Sequence, residues 1–223
     1  MKIAILLFPD FTALDVVGPY EILVHAPGVE VVFVAKNKGL INGEVDVFQL
    51  MANHSFSEID ACDILIIPGG PGDAEAATDI ATLDWVRKIH QTTTYTTSIC
   101  TGALVLAAAG LLEGKDATTH WAAKETLNRL GAHYQPERWV QQGKIITAAG
   151  VSAGIDMALY LLADLMGNDT AKMVQLGTEY DPQPPFDSGS VAKAEPHIHG
   201  VLSTSFAKTF GVRHKKIVKY NGI

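Results

Sequence analysis

YTTSICTGALVLAAA, residues 95–109, is the stretch of sequence that decides the fold. Residues 95–99 are rich in β-branched side chains, which is typical of a buried strand, whereas residues 102–109 are small and apolar and predict a helix that ends at Gly110. Cys100 lies between the two, so the chain must turn sharply there. A buried strand that leads directly into a helix indicates an α/β sheet.

The same alternation of strand and helix continues on both sides of this turn. Apolar runs predict strands at residues 3–8, 29–34, 64–67 and 145–148, with a weaker pair of short strands within 41–50. Helical spacing of apolar residues predicts helices at 15–26, 79–91, 121–130 and 155–166. We therefore expect a single α/β domain over residues 1–223, with a mostly parallel central sheet and helices on both faces.

The segment 178–223 differs in character from the rest of the chain. Closely spaced prolines in 178–189 exclude regular structure, so we expect an extended arm that packs on the domain or on a dimer partner. A solvated basic face on a closing helix explains the later charges better than an anion or nucleic-acid site does. From residue 201 onward every formal charge is positive, namely Lys208, Arg213, Lys215, Lys216 and Lys219.

The composition excludes several classes of protein. With 48% hydrophobic and 18% charged residues, the 223-residue chain is expected to fold around a core. A net charge of −7 argues against nucleic-acid binding. No apolar stretch approaches the ~18–20 residues of a membrane span, and the run 3–8 is too short for a secretory signal. The two cysteines are too few for a disulfide scaffold, so we expect a cytoplasmic protein with free thiols.

Cys100 is the candidate nucleophile. Small residues at Gly102 and Ala103 give the turn room, and the following helix directs unpaired N–H groups and partial positive charge at the sulfur. This setting predicts a lowered thiol pKa and a reactive thiolate. The alternative is that Cys100 is a small buried packing residue, which is the interpretation that we favour for Cys62.

Two further segments follow predicted strands and are expected at the same edge of the sheet. In PGGPG at 68–72, the glycines allow the backbone to approach a reacting atom, and the amides of Gly69 and Gly70, with that of Thr101, are candidate donors to an intermediate. No Gly-Lys-Ser/Thr follows, so this is not a phosphate loop. Asp15 fits either a helix N-cap or a catalytic carboxylate, and spacing alone does not decide between them.

Several segments together resemble the ThiJ/PfpI superfamily, whose fold is class I glutamine amidotransferase-like. They are LDVVGP at 14–19, PGG at 68–70, SICTGA at 98–103, ATTHW at 117–121 and AGID at 153–156. The likeness extends from Lys2 to about Gly189 and is greatest to the isonitrile hydratase branch, because Asp15 stands where other branches have Glu. It implies a flavodoxin-like three-layer sandwich, a homodimer, and no metal or organic cofactor.

The resemblance also implies a reaction and roles for residues. Cys100 is the nucleophile, Asp15 the acid/base and Thr101 an assisting hydroxyl in the hydration of an isonitrile to an N-substituted formamide through a thioimidate. His120 is a candidate site-lining residue, although a structural role in the first turn of a helix, after Thr119, accounts for it slightly better. Two histidines at 197 and 199, without a nearby ligand partner, are weak evidence for a metal, so no metal site is expected.

Two other functions could use the same residues. One is glyoxalase- or deglycase-like chemistry on small dicarbonyls with the same cysteine. The other is a sensor related to the amidotransferase-like domain of AraC-type regulators. Only 223 − 177 = 46 residues follow Gly177, fewer than the roughly 100 of a double helix-turn-helix module. A sensor would therefore respond to a ligand or to oxidation, and neither nucleic acid nor membrane is an expected partner.

Overall fold

A seven-stranded sheet forms the centre of the molecule in this computed structural model, which describes residues 1–222. Its strands are β1 (Lys2–Leu6), β2 (Glu30–Ala35), β5 (His54–Ser55), β6 (Ile64–Ile67), β7 (Tyr95–Ile99), β10 (Trp139–Gln142) and β11 (Ile145–Ala148). The order across the sheet is β10-β11-β7-β6-β1-β2-β5, and only the edge pair β10–β11 is antiparallel among these described strands. The predicted mostly parallel sheet is confirmed.

Two small sheets lie outside the central one. Strands β3 (Gly39–Asn42) and β4 (Gln49–Ala52) pair antiparallel. This confirms a pair of short strands, but both extend two residues outside the predicted segment 41–50, and residues 43–48 join them instead of a tight turn at Asn42-Gly43. Strands β8 (Asp116–Ala117) and β9 (His133–Tyr134) pair parallel. These two were not predicted, because two residues are too few to show a period-2 pattern.

Helices cover both faces of the sheet, as a flavodoxin-like sandwich requires. They are α1 (Ala13–Leu23), α2 (Asp73–Ala76), α3 (Ile80–Thr92), α4 (Gly102–Ala108), α5 (Lys124–Arg129), α6 (Ala153–Met166), α7 (Asn168–Gly177) and α8 (Pro196–Tyr220). Helix α6 contacts α1 and α7 in one layer, whereas α4 contacts α2, α3 and α5 in the other, where α8 also packs. None of the helices in residues 1–222 is long and apolar enough to cross a membrane.

The core lies where the central strands meet the two helix layers. All four residues of β6 are fully buried, as are residues 3–6 of β1, because both faces of these strands are covered by helices. Strand β2 pairs with one side of β1 and β6 with the other, so the chain reverses its direction of winding between β1 and β6. The loops that follow β1, β6 and β7 therefore open at one edge, the usual ligand-binding position in such sheets.

The boundaries of some elements differ from those expected. Helix α1 begins at Ala13 rather than at residue 15, and the predicted helix 121–130 starts as a 3₁₀ turn at Trp121–Ala123 before α5. Residues 180–195 contain no helix or strand and are largely exposed, in agreement with the irregular structure expected around the prolines. That this segment is an arm packed on the domain or on a dimer partner stays a prediction.

Candidate active site

Cys100 occupies a sharp turn between β7 and α4. Its backbone has φ of +55°, a left-handed conformation that non-glycine residues seldom adopt. The amide of Cys100 donates to the carbonyls of Ala148 (3.1 Å) and Ala149 (2.9 Å), and its own carbonyl accepts from Thr119 Oγ1 at 2.8 Å. These bonds fix the strained residue from both sides, so that the thiol is held at the carboxyl end of the sheet.

Close packing under this turn explains the glycine at position 102. A Cβ on Gly102 would lie 2.2 Å from the carbonyl oxygen of Ile67, at the end of β6. A side chain there would push α4 and the turn away from β6. The expectation from sequence, that small neighbours allow the turn, is therefore confirmed for Gly102.

Asp15 lies in the first turn of α1 and is completely buried. Its Oδ2 accepts a hydrogen bond from the Gly69 amide at 2.8 Å, whereas Oδ1 has no hydrogen-bond partner among the described residues. Thr12 holds the N-cap position of α1. The N-cap alternative for Asp15 is therefore wrong, because the carboxylate turns to Gly69 and not to the amides of its own helix.

Burial raises the pKa of Asp15 to about 7. The main cause is the loss of water around the charged form, and the negative charge of Glu44 adds to it. The Gly69 amide and the Cys100 thiol act in the opposite direction. Near neutral pH this carboxyl can therefore both hold and release a proton, as acid/base catalysis requires.

The thiol of Cys100 differs from the expectation from sequence, which was a lowered pKa. Burial, and then the negative charge of Asp15, raise the pKa of the Cys100 thiol well above its usual value. The amides of Thr101 and Val151 bond to the sulfur and lower its pKa, but by less. The helix N-terminus was correctly located, but desolvation and the neighbouring carboxylate outweigh it.

The two glycine amides after β6 already have acceptors. Gly69 donates to Asp15, and Gly70 donates to Thr101 Oγ1 at 3.1 Å. A Cβ on Gly69 would lie 2.5 Å from the Thr101 amide nitrogen, so only glycine allows this approach. The donor roles predicted for Gly69 and Gly70 stay predictions. The amides that point at the sulfur are those of Thr101 and Val151.

His120 also lies in the site, next to Trp121. Its Nδ1 accepts a hydrogen bond from the Ala122 amide at 3.3 Å. Burial, together with the positive charge of Arg213, lowers the pKa of His120 to about 4. The imidazole is therefore neutral at pH 7, and it lines the site as a ring rather than as a cation.

A cavity of about 340 Å³ opens beside the sulfur. Although Cys100 is only 6% exposed, it faces this cavity, so its burial does not make it an inaccessible packing residue. The residues that line the cavity are Thr12, Glu44, Gly70, Pro71, Cys100, Thr101, His120, Val151, Ser205, Phe206, Thr209, Phe210 and Arg213. No group of three His, Cys, Asp or Glu side chains in residues 1–222 is arranged to hold a metal ion.

Helix α8 closes one side of this cavity, and sequence reasoning missed that contribution. Arg213 pairs with Asp73 at 2.8 Å (Nε to Oδ1), and His214 Nε2 lies 3.1 Å from Asp73 Oδ2. Asp73 is completely buried and His214 is 3% exposed. The solvated basic face is therefore wrong for Arg213, whose partner lies 140 residues away, but holds for the exposed Lys208, Lys215 and Lys219.

The chain belongs to the DJ-1/PfpI family, which matches residues 1–164. It is 45% identical to the isonitrile hydratase of Pseudomonas putida over 190 residues, covering 85% of this chain and 83% of that protein. The crystal structure of a ThiJ/PfpI family protein from Pseudomonas syringae superposes with a TM-score of 0.90 at 34% identity, covering 100% of this chain and 90% of that one.

A more distant relative is a regulator. The chain is 32% identical to the HTH-type transcriptional regulator GlxA of Rhizobium meliloti over 157 residues. The match covers 70% of this chain but only 45% of the regulator.

Proposed function

We propose that this protein hydrates isonitriles, R–N≡C, to N-substituted formamides, with Cys100 as a covalent nucleophile. The observation that carries the proposal is a fully buried carboxyl, Asp15, with a pKa of about 7 beside a thiol that faces a cavity. Likeness to an isonitrile hydratase at 45% identity supports the reaction class. The strained turn at Cys100 then acts as a nucleophile elbow.

Asp15 and Cys100 act as a pair that shares protons. Because burial raises the pKa of both groups, and the charge of Asp15 raises that of the Cys100 thiol further, the pair holds one proton over a range that begins near pH 7. That proton resides on the thiol or on the carboxyl. The reactive arrangement is the thiolate beside the protonated carboxyl, and a proton transfer between the two forms it.

The addition step joins the sulfur to the terminal carbon of the isonitrile. The Cys100 thiolate forms the S–C bond while Asp15 delivers its proton to the same carbon. One of the two carbon–nitrogen π bonds is lost in this step. The product is a thioimidate, R–N=CH–S–Cys100, and Asp15 is left as a carboxylate.

Hydrolysis of the thioimidate regenerates both groups. The Asp15 carboxylate takes a proton from water as the water oxygen attacks the thioimidate carbon, and this proton is passed to nitrogen. The C–S bond of R–NH–CH(OH)–S–Cys100 then breaks and its electron pair returns to sulfur, while the hydroxyl proton passes to Asp15. The product leaves as R–NH–CHO, and the net reaction adds one water.

Neighbouring groups stabilise the charge that moves through these steps. The amides of Thr101 and Val151 bond to the sulfur and stabilise it as an anion, both before attack and on departure. The Thr101 hydroxyl accepts from the Gly70 amide, so its own proton is available to the substrate nitrogen. The neutral His120 ring contributes to the wall of the site.

The setting in which the protein acts is part of the same proposal. The resemblance supports a homodimer in the cytoplasm that needs no cofactor. Sedimentation of the purified protein tests the dimer, and full activity after treatment with a chelator tests the independence from metal. Finding only monomer at micromolar concentration would contradict the proposed homodimer but not the proposed reaction.

Formation of a formamide from cyclohexyl isocyanide tests the reaction. We expect the wild-type protein to form it, Cys100→Ala to form none, and the matched variant Cys62→Ala to keep the wild-type rate. Mass spectrometry of the wild-type protein quenched during turnover is expected to show the substrate mass added at Cys100. Turnover by Cys100→Ala would exclude the covalent scheme.

A parallel assay with methylglyoxal separates the alternative functions. Consumption of methylglyoxal without formamide formation would indicate deglycase-like chemistry. The likeness to a transcriptional regulator supports a sensor as the remaining alternative. Absence of turnover on either compound, with ready oxidation of Cys100 by dilute peroxide, would favour that sensor.

A further inference from the structure

The cavity has an aromatic wall that the proposed chemistry does not use. Phe206 and Phe210 lie one turn apart on α8, and their rings stack with centroids 5.3 Å apart at an interplanar angle of 17°. The His120 ring meets both of them edge-on, at 5.2 and 5.8 Å. All three rings line the cavity that contains Cys100, so an apolar group bound there would contact aromatic faces and edges.

Several contacts hold this wall in place before any ligand binds. Phe210 stacks on the His214 ring at 4.8 Å, and the Arg213 guanidinium lies 4.5 Å from the centre of the Phe210 ring. Both Arg213 and His214 are in turn bound to the buried Asp73. A ligand therefore does not have to order these side chains, which lowers the cost of binding.

The cavity is small for a binding site. Its volume of about 340 Å³ is at the lower end of the range for small-molecule pockets. The reacting carbon must reach the sulfur on one side of it, so the substituent of an isonitrile extends toward the remaining walls. The α8 wall is the part of the lining that offers extended apolar surface.

We propose that Phe206 and Phe210 are the residues that select the substrate by its substituent, favouring a compact apolar ring over a small alkyl group. This inference rests on the proposed function for the identity of the reacting group. The selection between substituents requires only that the Cys100 sulfur is the atom that reacts. Neither phenylalanine takes part in bond making, so both act on binding and orientation.

Two maleimides with the same reactive group test the selection without turnover. N-cyclohexylmaleimide and N-methylmaleimide both alkylate thiols, and mass spectrometry on the Cys100 peptide gives the ratio of their rate constants. We expect Phe206→Ala and Phe210→Ala each to lower the cyclohexyl-to-methyl ratio by about tenfold. Val212→Ala is the matched control on α8, because Val212 is 76% exposed and does not line the cavity.

The leucine variants Phe206→Leu and Phe210→Leu cover the case in which the alanine variants do not fold. They keep apolar bulk on α8 and are expected to lower the ratio by less. A wild-type ratio in the folded Phe206 and Phe210 variants, or an equal fall in Val212→Ala, would overturn the inference.

The same variants are assayed for formamide formation from cyclohexyl and methyl isocyanide. We expect kcat/KM to fall selectively for the cyclohexyl compound. If no isonitrile reacts but the maleimide ratio still depends on Phe206 and Phe210, the proposed function is wrong, but the inference that these residues select the substituent is supported. If formamide forms but the variants leave both the maleimide ratio and the isocyanide kcat/KM ratio unchanged, the inferred role of Phe206 and Phe210 is wrong and the proposed function is unaffected.

Discussion

At the residue scale, the decisive contact is that between two acidic groups in a buried site. Asp15 is completely buried and Cys100 nearly so, burial raises the pKa of both, and the charge of Asp15 raises that of the Cys100 thiol further. Two groups coupled in this way titrate together, so pH profiles report on the pair. In the proposed mechanism the pair supplies both the nucleophile and the acid, without a histidine.

Replacement of Asp15 by Asn tests the proton transfer. The amide side chain of this variant retains an oxygen that can accept from the Gly69 amide, so the fold is expected to persist, but it cannot carry the proton. Loss of a general acid/base lowers rates by about 10²–10⁴-fold, and we expect a fall in kcat of that size in the formamide assay. A near-wild-type kcat would remove Asp15 from the chemistry.

Glu44 is expected to set the pH at which the pair becomes active. It lines the cavity, accepts a hydrogen bond from Thr12 Oγ1 at 3.0 Å, and its charge raises the pKa of Asp15. Activity should rise as the pH passes through about 7, where the pair loses its first proton. Because Glu44→Gln removes the negative charge, this rise should move to lower pH.

The measurement is the pH profile of kcat/KM for wild type and Glu44→Gln. Asp84→Asn makes the same change of charge at an exposed position that pairs with Arg87, so its profile should match that of the wild type. A profile of Glu44→Gln that also matches the wild type would contradict the electrostatic role of Glu44.

The residue scale also shows where sequence reasoning was limited. The turn at Cys100 and the need for glycine at 102 were predicted, because strand, small residues and helix follow one another in the chain. The upward shift of the Cys100 pKa was not predicted, because it depends first on burial that no local pattern reveals and then on Asp15, which lies 85 residues earlier (100 − 15).

At the element scale, the contact of α4 with β6 positions the sulfur. Gly102→Ala would place a Cβ 2.2 Å from the Ile67 carbonyl oxygen, whereas the same change at Gly177, at the end of α7, meets nothing within 4 Å. Overpacking costs about 1–3 kcal/mol, and we expect Gly102→Ala to lose stability of that size in urea unfolding. Gly177→Ala should be neutral, and equal effects of the two would contradict the packing argument.

Helix α8 is expected to depend on Asp73 for its position. Asp73→Asn weakens the buried pair with Arg213 and His214 and leaves their donors poorly matched. Hydrogen exchange in residues 206–218 should become faster in this variant. Glu75→Gln removes the exposed pair of Glu75 with Lys216 on the same two elements, and little change is expected there.

The contribution of α8 to the site could not be predicted from sequence. A closing helix was expected, but its basic residues look like a solvated face when they are read along the chain. The Asp73–Arg213 pair joins positions 140 residues apart, and no periodicity or motif links them. Phe206 and Phe210 were missed for the same reason.

At the scale of the whole molecule, the order of the strands assembles the site. Asp15, in the first turn of the helix that follows β1, lies near Gly69 after β6 and Cys100 after β7, and these three strands are neighbours in the sheet. Alternation of strand and helix predicted a parallel sheet whose ends share an edge. The actual order depends on pairing between distant segments, which sequence periodicity does not reveal.

The buried Asp15 carboxyl also makes the stability of the whole protein depend on pH. Its pKa is raised from 3.8 to about 7 in the folded protein. Between these values the folded state binds more protons than the unfolded state, so stability falls as the pH rises from about 4 to about 7. Once the carboxyl is ionised, the loss is on the order of 4 kcal/mol.

Asp15→Asn removes this loss, because the amide stays uncharged at every pH in the range. We therefore expect the variant to be more stable than the wild type at pH 8 and the difference to shrink toward pH 5. Urea unfolding at both pH values measures it, with the exposed Asp84→Asn as a control. A difference that does not change with pH would mean that the folded protein does not hold the Asp15 proton near neutrality. Because the proposed hydration mechanism depends on that proton, the same result would contradict the mechanism.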